Sequence, residues 1–226
     1  MSTLGYKIGL FNSMCRLYDI CNIHFYGGEE MKWAYKTYPA LITLEIPDDA
    51  VASTPEVRSN IYKHFNITYD PIEQLSDDVL KEAFVKRCAY WPYDTYEAMH
   101  KKKEREYEFL RDVMYSVEEY KCRCNKAKVI NVELLEEDGY ITSAFTNYDK
   151  HIDHDKYFYY TRGKMVYPNK FYPDLTKVCS HGIHYLEDPR LAILYGIGFY
   201  HEFAHNISNN SEYICHKYFD ITNKED

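Results

Sequence analysis

Two stretches of the chain hold residue types that can do chemistry. VCSHGIHYLEDPRLAILYG, Val178–Gly196, places Cys179, His181 and His184 close together, and HEFAH, His201–His205, spaces two histidines at i and i+4 around a glutamate. On a helix His201 and His205 share one face, so both can ligate zinc while Glu202 serves as the base of a hydrolase. A catalytic zinc needs a third protein ligand. The residues after His205 offer Glu212, Cys215, His216 and Asp220, none at a spacing that completes a metalloprotease set. Gly196 and Gly198 also weaken a helix just before the motif. The plainer reading is a histidine pair on the surface of the last helix.

A second constellation joins KCRCNKAKV, Lys121–Val129, to the Cys179 run. In a strand Cys122 and Cys124 point the same way, and Cys179 with His181 or His184 can complete a four-ligand zinc site. The usual zinc knuckle is C-x-x-C, however, and free cysteine is among the most buried residue types. Cys179 and His184 can also form a nucleophile and base, provided the imidazole reaches the thiol. Gly182 between them permits a sharp turn into a strand. The simplest reading makes Cys179–Tyr185 a structural turn and strand. His184 is then held by hydrogen bonds, Cys122 or Cys124 is buried and reduced together with Cys179, and no metal or cofactor is required.

The elements that must position these residues alternate between strand and helix patterns. Ala40–Pro47 is a strand in which Leu41, Thr43 and Glu45 oppose Ile42, Leu44 and Ile46. In a second strand Ala127, Val129, Asn131 and Glu133 oppose Lys128, Ile130, Val132 and Leu134. Lys156–Pro168 reads as a hairpin turning at Gly163, and GIHYL as a fourth strand. Between the first two strands, residues 55–120 form a helical insertion. Its first clear helix follows a Ser/Asp cap and spaces Val79, Ala83 and Val85–Lys86 along one face. Its last carries a stripe of Tyr107, Leu110, Met114 and Val117. A final helix starts at Pro189. The expected fold is α+β: one domain, residues 1–226, with a small, mainly antiparallel sheet, the helical insertion and a C-terminal helix.

Composition narrows the function classes. The 226 residues carry a net charge of −8, which argues against a chain held on nucleic-acid phosphates. The one basic run, His100–Arg105, is followed at once by Glu106 and Glu108 and reads as a solvated helix face. No window approaches the roughly 18 apolar residues of a membrane span. The N-terminus lacks a signal-peptide pattern. Seven cysteines in such a chain are expected as thiols, in a cytosol or a particle assembled there. Tyrosine reaches 25 residues, which suggests half-buried and contact surfaces.

The runs ALITLEIPDDAVAS, KCRCNKAKVINVE, YFYYTRGKMVYP and VCSHGIHYLEDPRLAILYG come in an order that resembles an uncharacterised domain of large DNA viruses of protists. That domain often sits beside pentapeptide or MORN repeats, and similar Cys-x-x-Gly-Leu-His runs occur in rapid-lysis B-type phage proteins. The resemblance covers residues 29–54 and 121–196. It departs in the insertion, which replaces a short loop, and in the lack of repeats, and it implies no known activity. The order of motifs is also similar to the core of ADP-ribosyltransferases, with Arg162, Gly182, Tyr185 and Tyr195 at the analogous positions and no identifiable catalytic glutamate.

Taken together, these features lead us to expect a viral, non-enzymatic interaction or virion-associated protein. It would contact a viral or host protein, in the virion or the host cytoplasm, without nucleic acid. The rival is an enzyme, either a zinc-dependent hydrolase through HEFAH or an ADP-ribosyltransferase-like nucleotide-transfer enzyme.

Overall fold

The computed structural model describes residues 2–16, 33–67, 75–89, 104–135, 141–147, 157–199 and 211–219. In chain order the elements are β1 (Thr3–Arg16), β2 (Trp33–Ile46), β3 (Ala52–Ser53), α1 (Pro55–His64), α2 (Asp77–Ala89) and α3 (Glu104–Glu119). Then come β4 (Cys122–Cys124), β5 (Ala127–Leu134), β6 (Ser143–Asn147), β7 (Tyr157–Thr161), β8 (Met165–Val166) and β9 (Ile183–Tyr185). Two further helices are α4 (Pro189–Phe199) and α5 (Ser211–Ile214), the latter running into a π-helical turn, Cys215–Phe219. The fold is a small α+β one with antiparallel sheets, and the described parts of 55–120 are mainly helical. HEFAH lies outside the described residues.

The frame is the long antiparallel pair β1–β2, in register from Thr3 opposite Ile46 to Arg16 opposite Trp33. The larger sheet runs β7-β6-β1-β2-β5-β8, which puts β7 and β8 at opposite margins. Only Arg162, Gly163 and Lys164 separate those strands. Such a link spans at most ~14 Å, whereas the margins of six flat strands lie ~24 Å apart. The sheet must therefore curl until its margins meet. Hydrogen bonds mark the seam: the Gly163 amide donates to the Val129 carbonyl (2.7 Å), and the Val129 amide to the Lys164 carbonyl (2.9 Å). Gly163 does turn the chain, at φ +78°, but the expected hairpin does not form. Its two arms pair with different strands, β7 with β6 and β8 with β5.

The two faces of β2 serve two cores, as its alternation requires. Ala40, Ile42, Leu44 and Ile46 point into the curled sheet with Val129, Val132, Ala144 and Tyr160. Leu41 joins Ile8 on the other face, beneath Leu80, Phe84, Leu110, Val113, Val117 and Ile193 from the helices. Simple alternation fails in β5. Thr43 pairs with Asn131 but Leu44 with Val129, so Ile130 is an extra residue in a β-bulge. The bulge shifts the side-chain phase, and Val129 and Val132 enter the same core although their spacing predicts opposite faces.

Local signals start the helices. The Ser76 hydroxyl accepts the Val79 amide at 3.3 Å, and Thr54 accepts the Val57 amide at 3.2 Å ahead of Pro55. Asp188 Oδ1 accepts the Arg190 amide at 2.8 Å and opens α4. The inward face of α2 is Leu80, Ala83 and Phe84, with Val79 packed at its margin; of the expected positions Ala83 and Val79 hold and Val85, 48% exposed, does not. Phe84 stacks on Phe219 with ring centroids 4.4 Å apart. In α3 the expected stripe holds at Leu110 and Val117, and Val113 is buried where Met114 is only half-buried.

Phe84→Ala removes a fully buried ring and leaves a cavity against Phe219, so it is expected to cost about 3–5 kcal/mol in urea unfolding. Val85→Ala should stay within about 0.5 kcal/mol of the parent. Equal costs at the two positions would contradict this assignment of the inward face.

Candidate functional site

The smaller sheet, β3-β4-β9, builds the site. Its centre is CRC, Cys122–Cys124. Both thiols point into the core of the curled sheet, so Arg123, between them, points the other way. Arg123 is fully buried, yet among the described residues no carboxylate accepts its donors. Its Nη1 donates to the carbonyls of Tyr172 (2.6 Å) and His181 (2.9 Å), and its Nη2 to that of Asp174 (2.8 Å). The Phe171 ring lies 4.8 Å from the guanidinium carbon. One side chain thus gathers the segment 171–181 onto β4. Gly182 is the counterpart of this clasp. Its φ is +153°, and a Cβ there would stand 2.5 Å from Arg123 Cγ. Glycine is needed at that point of the Gly-Ile-His run because the arginine stem occupies the space.

A second buried arginine anchors the same strand from the helical side. Arg58 on α1 donates to the carbonyls of Glu119 (2.5 Å) and Lys121 (3.2 Å) at the junction of α3 and β4. The Ser53 hydroxyl on β3 donates to the Leu175 carbonyl at 2.5 Å, so the held segment is tied at two points.

The segment forms one wall of a cavity of about 490 Å³, with Lys7, Phe158, Tyr160 and Pro168 among the residues opposite. A smaller cavity of about 180 Å³ lies toward α4, lined in part by Lys121, Tyr185 and Tyr195. Both cavities are lined by Lys7 and His184, so they meet at those two side chains. His184 sits opposite Arg123 in the β4–β9 register, between the buried Ile183 and Tyr185. Its ring hydrogen-bonds the Val178 backbone, while Nε2 is buried with no partner among the described residues. Burial first, then the charges of Lys7 and Lys121, press its pKa down to about 3, with Arg123 adding to the effect. The ring is therefore a neutral imidazole whose free nitrogen accepts. Lys7 stands 5.2 Å over the Tyr160 ring. The Lys121 side chain is buried, and its ammonium donates to the Tyr195 hydroxyl at 2.9 Å. Burial opposes the charge on Lys121, but the Tyr195 hydroxyl and the Cys179 sulfur outweigh it and hold the pKa above the ordinary value.

The sequence candidates are distributed unevenly about this cleft. Cys122 and Cys124 are buried free thiols, both pushed upward in pKa by burial, Cys124 to about 12. Cys179 is not in the core with them; it is exposed on the cleft wall, beside the Lys121 ammonium. Among the described residues no three His, Cys, Asp or Glu side chains converge as a metal site. His201, Glu202 and His205 lie outside the described residues. Of the positions analogous to ADP-ribosyltransferases, Gly182 lines the larger cavity, Tyr185 and Tyr195 the smaller one, and Arg162 occupies the seam turn. Reading for nucleophiles and metal ligands passed over Lys7, Lys121 and Arg123. The signal for Arg123 was available: alternation that turns both cysteines inward turns it to the opposite face.

On the outside, the seam of the curled sheet presents Tyr159, Met165 and Tyr167, which are 59%, 39% and 60% exposed, beside Ile130. Exposed Lys128, Arg162 and Lys164 flank them. Among the described residues no helix is long and apolar enough to cross a membrane.

A model described as "Family of unknown function (DUF5758)" matches residues 110–192. That span runs from α3 to the first turn of α4 and includes the Arg123 clasp and the held segment, but not β1 or β2. No curated protein and no solved structure matches the chain.

Two outcomes test this geometry. Gly182→Ala is expected to lower stability by roughly 1–3 kcal/mol in chemical denaturation, and an unchanged midpoint would argue against the clasp. The second concerns pH. The folded pKa of His184 lies below its unfolded value of 6.5, so below that pH the unfolded chain takes up a proton that the native ring refuses. Its contribution is fully present above pH 6.5 and is lost as pH falls toward about 3, at up to about 1.4 kcal/mol per pH unit. Urea titrations of the parent and His184→Gln at pH 7 and pH 5 should show the parent losing more stability. Parallel losses would contradict a neutral, half-buried His184 facing Lys7, Lys121 and Arg123.

Proposed function

We propose that the chain is a non-enzymatic interaction protein that makes protein–protein contacts through the outer seam of its curled sheet. The observation that carries this reading is the group Tyr159, Met165, Tyr167 and Ile130, exposed on adjoining strands. Scattered exposed apolar residues are ordinary. A group of aromatic and Met side chains has the composition of an interface centre, and here it is rimmed by Lys128, Arg162 and Lys164. Lys128 lies 3.7 Å from Glu45, while Arg162 and Lys164 keep the rim locally basic on a chain of net charge −8, which favours an acidic partner surface. The resemblance to domains of large DNA viruses of protists supports a viral setting, in a virion or the host cytoplasm. It also supports the absence of an assigned reaction.

The test is site-directed. Photo-crosslinkers at Tyr159 and Tyr167 are expected to join the protein to one discrete partner in infected-cell extract. A Tyr159→Ser/Tyr167→Ser double variant should fold with little loss of stability and compete poorly, at least tenfold weaker, for that partner. Cross-links spread over many unrelated proteins, or undiminished competition by the variant, would overturn the proposal.

A further inference from the structure

The cleft at Lys7, Lys121 and His184 is separate from the outer seam, and its chemistry is different. Three cationic side chains, Lys7, Lys121 and Arg123, bear on one neutral imidazole. The groups that hold Lys121 among the described residues are the Tyr195 hydroxyl and ring and the Cys179 sulfur, with no carboxylate among them. Lys121 is thus kept charged in the cleft by neutral groups, and its ammonium is available to pair with an anionic ligand group. His184 adds a buried acceptor, Nε2, at the point where the two cavities meet. The larger cavity continues from there along Phe158, Tyr160, Pro168 and Ile183, a wall that suits an apolar or aromatic body. About 490 Å³ falls within the range of small-molecule sites.

We propose that this cleft binds a small organic acid, with its phosphoryl or carboxylate group between Lys7 and Lys121 and its apolar or aromatic body along Phe158 and Tyr160. Nε2 of His184 then accepts from a protonated oxygen of the acid group, or takes a proton itself as the anion neutralises the lysines. Either way, a fully ionised ligand binds together with a proton. Arg123 positions the wall through its carbonyl contacts and does not itself touch the ligand.

Isothermal titration of the full chain with phenyl phosphate, benzoate and inorganic phosphate tests the assignment. At least one aromatic acid is expected to saturate one site, and to bind at least tenfold tighter than inorganic phosphate because only it reaches the apolar wall. Tighter binding by phenyl phosphate assigns a phosphoryl group, and by benzoate a carboxylate. Lys121→Met keeps the methylene stem, and its backbone carbonyl still serves Arg58. Lys7→Gln supplies a second variant on another strand. Each should weaken binding at least tenfold without lowering the melting temperature, and proton uptake on binding should fall in His184→Gln. The proposal fails if neither aromatic acid saturates, or if saturation is indifferent to both lysine variants. The Tyr159→Ser/Tyr167→Ser chain should bind these acids normally, so loss of the seam contact and loss of the cleft are read separately.

Discussion

The buried guanidinium of Arg123 is the constraint around which the site is organised. A charged group without exposure costs several kcal/mol unless its donors are satisfied. Here three backbone carbonyls, from Tyr172, Asp174 and His181, accept from both terminal nitrogens, while Nε is buried without a partner among the described residues. The arrangement works in both directions. The arginine needs these carbonyls, and the segment 171–181, which contributes no named strand or helix, takes its course from the arginine. Gly182 follows as a steric necessity. The β4–β9 register then sets His184 opposite Arg123, facing the lysines. Arg58 repeats the device on the helical side, where it fixes the entry of β4 through the carbonyls of Glu119 and Lys121.

The curled sheet supplies the rigid half of the cleft. Because only Arg162–Lys164 link β7 to β8, the sheet must close, and closing brings Phe158 and Tyr160 round to face the held segment. The bulge at Ile130 lets β5 keep both Val129 and Val132 inside the same core despite the bend. Lys7 comes from β1, the strand that bonds to β2 on one side and to β6 on the other, and that also bridges to Leu186 just after β9. The cleft therefore spans the junction of the two sheets.

Much of the frame could be read from local patterns, and the failures have identifiable causes. β2, β5, β9 and the helices from Asp77 and Pro189 carry periodicity or caps that act within a few residues. β1 was missed because Gly5, Gly9, Asn12 and Ser13 break its alternation, and only pairing with β2 over its whole length makes it a strand. β6 buries Ala144 and Thr146, a small and a polar side chain, so its inward face carries no apolar pattern. The phase shift in β5 depends on its partner strand, so it is not present in β5 alone. Of the site, His184 and Gly182 were visible as a motif. Lys7 and Lys121 were not, because each is an unremarkable lysine until the topology brings β1 and β4 beside β9. Cys179 was placed with the buried thiols by residue type, yet the clasp on Tyr172, Asp174 and His181 leaves it on the cleft wall.

The central claim is that Arg123 holds the segment 172–182 in place while the curled sheet stands without it. Amide hydrogen exchange reads this most directly, because the Tyr172 amide donates to the His181 carbonyl within the held segment at 3.2 Å. In Arg123→Met, protection is expected to fall across residues 172–183 while amides of β1 and β2 keep theirs. Unchanged protection of 172–183, or an equal loss throughout β1 and β2, would contradict the account.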